Sequence, residues 1–172
     1  MEAFFADYLN RLQKMHAELG LTLEGLPQSA LDWIPGEGAN SLAVIAFHTA
    51  GAERYLIGEC VAREPVGRDR EAEFRSAGLT ADVLLEKLDE SLVYARRVLD
   101  RLTLEDLEDQ RLWSQDNIQV SVGWLLAHLL SHTAIHAGHA QVTRQWWENN
   151  TQGILGRYRP KIPCQQFCAN GC

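Results

Sequence analysis

Six histidines occur in this 172-residue chain, and four of them, His128, His132, His136 and His139, lie within one stretch of twelve. On a helix that turns ~100° per residue these four fall within an arc of about 80°, so they form a column and do not ring the axis. The column coincides with the apolar face carrying Leu125, Leu129 and Val142. A buried imidazole needs partners for its ring nitrogens, and each orphaned group costs roughly 1–3 kcal/mol. Several on one face cannot easily satisfy one another, and protonating them sets like charges together. A shared divalent cation resolves the conflict, because neutral imidazole is a strong ligand. His132 and His136, at i and i+4, can present two imidazoles to one ion. The third ligand should come from another helix, and His48, set among Val44, Ile45, Phe47 and Ala52, is the candidate.

The remaining candidates read as supporting or structural. His128 and His139, about a turn before and after the pair, are expected to hydrogen-bond to the ligands or line a pocket. His16 reads as a surface or boundary residue. Glu53, five residues after His48, could serve as a base near a bound water, although a solvated carboxylate or a partner for Arg54 is the simpler reading. Trp113, Trp124, Trp146 and Trp147 suit a pocket wall, but aromatic residues at helical spacing are usually core. Cys60 is most simply a small core residue. Cys164, Cys168 and Cys172 crowd the last nine residues without the C-x-x-C spacing of a metal or redox site.

The elements that must hold these residues are helical almost throughout. Phe4, Phe5, Tyr8, Leu12, Met15 and Leu19 recur at three- and four-residue steps and predict a first helix over 2–19, stopped near Gly20. Asn40 or Ser41 can cap a second helix running to about Val61, and Pro65 to Gly78 reads as loop. Thr80 caps a third helix striped by Leu84, Leu88, Leu92, Ala95, Leu99 and Leu102. A short acidic turn spans Leu104 to Asp109, and the fourth and longest helix runs from near Ser121 to about Trp147. Ile118 to Val122 alternates but is too short to support a sheet. The expected fold is an all-α four-helix bundle with a longer crossover between helices two and three. It occupies residues 1–160, with 161–172 as a loose cysteine-containing tail.

Charge and hydropathy narrow the partners. The net charge of −7, from 16 basic and 23 acidic residues, argues against nucleic acid. The nearest basic cluster, Arg63, Arg68, Arg70 and Arg75, is interleaved with Glu64, Asp69, Glu71 and Glu73 and reads as a solvated loop of mixed charge. The N-terminus has no basic n-region, and the longest apolar run, Val122 to Leu130, is far short of the ~20 residues that span a bilayer. A cytoplasmic protein with no membrane partner is expected.

Three segments carry a family resemblance. Trp33-Ile34-Pro35-Gly36-Glu37-Gly38-Ala39-Asn40-Ser41-Leu42 is similar to the W-x-P entry into helix two of the DinB-like (YfiT-type) metal-binding four-helix bundles. Phe47-His48-Thr49-Ala50-Gly51-Ala52-Glu53 resembles their first histidine motif, and residues 122–139 resemble their H-x-x-x-H helix. The resemblance covers roughly residues 4–148 and implies a metal triad at His48, His132 and His136. His139 departs from the glutamine often found there, which leaves open an extra ligand or a different environment for the triad.

The resemblance implies less about activity. Some relatives are S-transferases or isomerases that use a low-molecular-weight thiol such as bacillithiol or mycothiol, and others have been proposed as hydrolases. Three protein ligands leave coordination positions open, as in catalytic sites. Two chemistries fit: holding a thiol as thiolate, which the resemblance places first, or activating water. A non-enzymatic, stress-associated protein stapled by its metal is the third reading. Zinc and nickel suit three imidazoles best, with iron and manganese next. A small-molecule substrate is expected, in an apolar pocket lined by residues such as Phe47, Leu129 and Trp124, and a homodimer is compatible with the family.

Overall fold

The computed structural model describes residues 1–113 and 117–155, the last four by backbone alone. The tail at 161–172, its three cysteines and the boundary before it lie outside the described residues. Four long helices form the body: α1 (Ala3–Leu21), α3 (Leu42–Tyr55), α5 (Ala81–Leu99) and α6 (Val122–Leu155). Between them lie the short helices α2 (Gln28–Leu31) and α4 (Arg70–Phe74) and a hairpin of β1 (Gln110–Trp113) and β2 (Ile118–Ser121). Among the described residues the fold is all-α apart from that hairpin.

Local chemistry sets the helix ends. Ser41 Oγ accepts from Val44 N–H at 3.2 Å to start α3, and Thr80 Oγ1 accepts from Val83 N–H at 3.4 Å to start α5. Ser121 Oγ does the same for α6, accepting from Trp124 N–H at 3.0 Å. α3 does not stop at Tyr55. It continues through the π-helical turns Leu56–Ala62 and ends where Arg63 turns left-handed at φ 58°. That extension reaches the limit expected for the second helix, whereas α6 runs eight residues past the predicted Trp147.

The hairpin corrects the expectation that Ile118 to Val122 could not support a sheet. β1 and β2 pair antiparallel from Gln110↔Ser121 to Trp113↔Ile118. A lone two-stranded ribbon is marginal in water, but here Trp113 and Val120 are buried and join the helical core.

The core has two apolar clusters. One gathers Phe5, Leu12, Leu99, Leu125 and Leu126, and the other Leu19, Leu31, Leu42, Leu84 and Leu88. Between them lies a buried polar layer with one residue from each long helix. Glu53 of α3 contacts His16 Nε2 at 2.6 Å and accepts from Ser91 Oγ at 2.8 Å and Thr133 Oγ1 at 3.0 Å. His16 is therefore a core residue and not a surface or boundary one. Glu53 is 1% exposed, neither solvated nor paired with Arg54, whose guanidinium lies over the Tyr94 ring.

Candidate metal centre

α3 and α6 bring His48, His132 and His136 together. One ligand-capable atom from each lies within 4.8 Å of the others. The i, i+4 spacing on α6 turns the two Nε2 atoms toward each other at 3.2 Å. Two nitrogens each ~2.0–2.1 Å from a tetrahedral zinc would stand about 3.3 Å apart, so the pair fits a shared divalent cation. Burial, with the neighbouring histidines adding repulsion, lowers the pKa of His132 to about 3 and that of His136 to about 4. Both are neutral at physiological pH, the state a ligand needs.

His48 is held from behind. Its Nδ1 hydrogen-bonds to Glu73 Oε2 at 2.9 Å, which leaves Nε2 for a ligand. Arg68 grips Glu73 through Nε to Oε1 and a terminal nitrogen to Oε2, both at 2.7 Å. Burial pushes the Glu73 carboxyl up, but the hydrogen bonds from Arg68 and His48 outweigh it and hold the pKa below the ordinary value. Glu73 is thus a carboxylate only 2% exposed. The mixed-charge segment after α3 is therefore not merely a solvated loop. It folds back along α3, with α4 delivering Glu73 to His48.

Gly51, one turn after His48, makes room for that contact. A Cβ built there would stand 2.7 Å from Glu73 Cδ, inside van der Waals contact. The Phe74 ring lies 4.7 Å from the His48 ring. Sequence reasoning missed Glu73, Arg68 and Phe74, and Gly51 in mid-helix was the available trace of them.

The other expected residues are placed differently. His128 stacks on Trp124 at 4.9 Å and 6° and meets Trp113 edge-on at 5.2 Å, while its ring centre is 6.2 Å from that of His132. His139 is exposed, 5.7 Å ring to ring from His136. Glu53 bonds none of the three ligands, although its partner Thr133 follows His132 in the chain. The column runs along the flank of the buried face of α6: Leu125 and Leu129 are fully buried, but Val142 is 45% exposed. Trp113 is core, whereas Trp124 and Trp146 are largely exposed and Trp147 packs edge-on against Trp33. The expected apolar wall of Phe47, Leu129 and Trp124 does not form as one surface. Leu129 is in the core, Phe47 packs under Lys87, and Trp124 lies at the solvent side of His128.

No described helix is long and apolar enough to cross a membrane. Comparison with curated proteins finds no match. A solved structure described as a conserved protein of locus from Enterococcus faecalis is similar in fold, with a TM-score of 0.68 at 18% identity, covering 85% of this chain and 97% of that one. The sequence model of the DinB superfamily matches residues 11–140, which contain the whole histidine cluster, all of α3 and α5, and the facing halves of α1 and α6. The chain belongs to the DinB superfamily.

Proposed function

We propose that this protein holds one divalent transition-metal ion between His48, His132 and His136 and uses it to carry a low-molecular-weight thiol in S-transfer to or from a small molecule. The observation that carries the metal reading is the convergence of three imidazoles, two of them held neutral by burial and one oriented by a buried carboxylate. Zinc or nickel suits that donor set best, with iron or manganese less well matched. When bound, the ion supplies positive charge that no ligating side chain neutralises, which favours an anionic partner such as a thiolate.

The protein's own acids weigh against water as the nucleophile. Both Glu73 oxygens are committed to Arg68 and His48, and both Glu53 oxygens to His16, Ser91 and Thr133. Neither carboxylate is left to take a proton from a bound water, whereas a thiol brings its own nucleophile and a lower pKa. A reducing cytoplasm is the setting in which such thiols abound.

Two measurements test this. Elemental analysis should find close to one equivalent of metal, lost in His132→Ala. Full metal content in His48→Ala/His136→Ala would refute the ligand set. Adding bacillithiol, mycothiol or a simpler thiol to cobalt-loaded protein should produce a near-ultraviolet charge-transfer band. An unchanged spectrum with all of them would remove thiol transfer and put hydrolysis first.

A further inference from the structure

The two helices that hold the metal ligands bring almost no formal charge to them. From Asn117 to Thr143, a span that includes His132 and His136, the sequence contains no Asp, Glu, Lys or Arg. On α3 the only such residues are Glu53, buried at the bundle's centre, and Arg54, drawn to the Tyr94 ring. Charge reaches the centre along the segment from Arg68 to Arg75, and most of it is already paired. Arg68 and Glu73 hold one another behind His48. Asp69 accepts from the Ala72 N–H at 2.9 Å to start α4, and Glu71 binds Arg75 at 2.8 Å. Arg70 is what remains. It is exposed, and among the described residues its guanidinium meets the Phe74 ring but no acid and no hydrogen-bond acceptor.

An arginine stacked on a phenylalanine one turn later is ordinary on a short helix; the place of this pair is not. Two contacts of 4.7 Å each, Arg70 Cζ to the Phe74 ring and that ring to the His48 ring, put the guanidinium no more than about 9 Å from the centre of a ligand imidazole. Stacking on the ring restrains a long side chain before any ligand arrives. α4 thus delivers three groups to His48: Glu73 at its Nδ1, Phe74 against its ring, and Arg70 on Phe74. Because Arg68 and Glu73 cancel, one unpaired positive charge is left beside the centre, in a protein of net charge −7. Such a spot selects an anion, and a guanidinium fork selects a planar oxyanion that it can grip with two parallel bonds.

We infer that Arg70 binds a carboxylate on the thiol that the metal carries, so that the protein takes acidic thiols in preference to neutral ones. The inference rests on the thiol-carrying reading of the site and adds the ligand's second point of attachment: sulfur on the ion, carboxylate on the guanidinium. The span favours a short skeleton. A metal–sulfur bond of ~2.3 Å and charge-assisted hydrogen bonds of ~2.7–2.9 Å take up much of the distance, which leaves the carboxylate a few bonds from the sulfur.

Cobalt-loaded protein titrated with 3-mercaptopropionate and with its methyl ester tests the inference, because the two share a thiol and a chain but differ in charge. Growth of the thiolate-to-cobalt band gives each Kd. The acid should bind about fivefold or more tightly than the ester, near the upper worth of an exposed ion pair. Arg70→Gln separates the guanidinium from chelation of the ion by the carboxylate. In that variant the preference should fall below about twofold, while metal content, thermal midpoint and the ester's Kd stay unchanged. Acid and ester bound equally by the unaltered protein, a preference that survives Arg70→Gln, or an equal weakening of both ligands in that variant would each overturn the inference. In all three the band still forms, so the thiol reading stands. A spectrum that neither thiol changes fails that reading, and this inference with it.

Discussion

Glu73→Gln isolates what the carboxylate does for His48. The substitution keeps the side chain's size and one acceptor oxygen but removes the charge that faces Arg68 and the His48 ring. Two losses follow from the geometry. The first is stability. Arg68 is left as an unpaired cation with a side chain only 10% exposed, and breaking a buried pair costs about 3–5 kcal/mol, with the lower end expected because the amide still accepts one bond. The second is metal affinity. An acceptor behind a ligating histidine fixes the ring and raises its basicity, and its removal weakens metal binding about 10–100-fold, or about 1.4–2.7 kcal/mol. Arg68 lies 3.4 Å from His48 Nδ1, so losing the intervening negative charge also turns that cation against the site. Chemical denaturation of the metal-free protein measures the first loss, and competition against a chelator measures the second. The double variant Glu73→Gln/Arg68→Met separates them. It should regain most of the stability, because no cation is left unpaired, while the affinity loss caused by the missing carboxylate persists. An affinity for metal in Glu73→Gln within about twofold of the unaltered protein would refute the reasoning, since a carboxylate that orients a ligand cannot be neutralised without effect.

Three further outcomes follow. Gly51→Ala should mimic Glu73→Gln in metal affinity, because the added Cβ displaces the Glu73 carboxyl from His48; unchanged chelator competition would show that the α4 segment shifts freely. In the metal-free protein His132 and His136 have folded pKa values of about 3 and about 4 against 6.5 when unfolded. The unfolded chain therefore binds more protons between those limits, so stability should be full above about pH 6.5 and fall as pH drops toward 4; a thermal midpoint flat from pH 7 to 4.5 would contradict this. Glu53→Gln should lower stability by about 3 kcal/mol, since charge-assisted bonds to three helices are weakened, yet metal stoichiometry should hold because none of its partners is a ligand. Loss of metal from folded Glu53→Gln would place Glu53 at the centre after all.

The parts of this molecule that are legible in its sequence depend on local periodicity. The stripe from Leu84 to Leu99, the caps at Ser41 and Thr80, and the H-x-x-x-H of α6 each encode their structure within a few residues. His48 is legible by elimination, as the histidine in the middle of another amphipathic helix. Glu73 is not, because its partner lies 25 residues away and its own neighbourhood alternates charges as any solvated loop would. Glu53 was misread for the same reason: its partners are 37, 38 and 80 residues distant. A buried carboxylate has no periodic signature, and only its companions reveal that it is satisfied. The hairpin escaped because four-residue strands gain their stability from Trp113 and Val120 docking on helices, not from their own pattern.

The two misread carboxylates together explain how the histidines are kept in place without metal. Glu53 and His48 are five residues apart on α3, about 140° around the axis, so one points to the bundle's centre while the other reaches its flank. At the centre, Glu53 binds Thr133 of α6, the residue that follows the ligand His132. That bond fixes the height of α3 against α6, and therefore the level of His48 against the α6 pair. At the flank, Glu73 fixes the rotation of the His48 ring that this register leaves free. Each carboxylate removes one freedom, the first a sliding of helices and the second a turning of a side chain. Burying such groups gains little stability over an apolar layer. Its effect is to hold three imidazoles, on two helices more than eighty residues apart in sequence, in a geometry that a metal need not reorganise on binding.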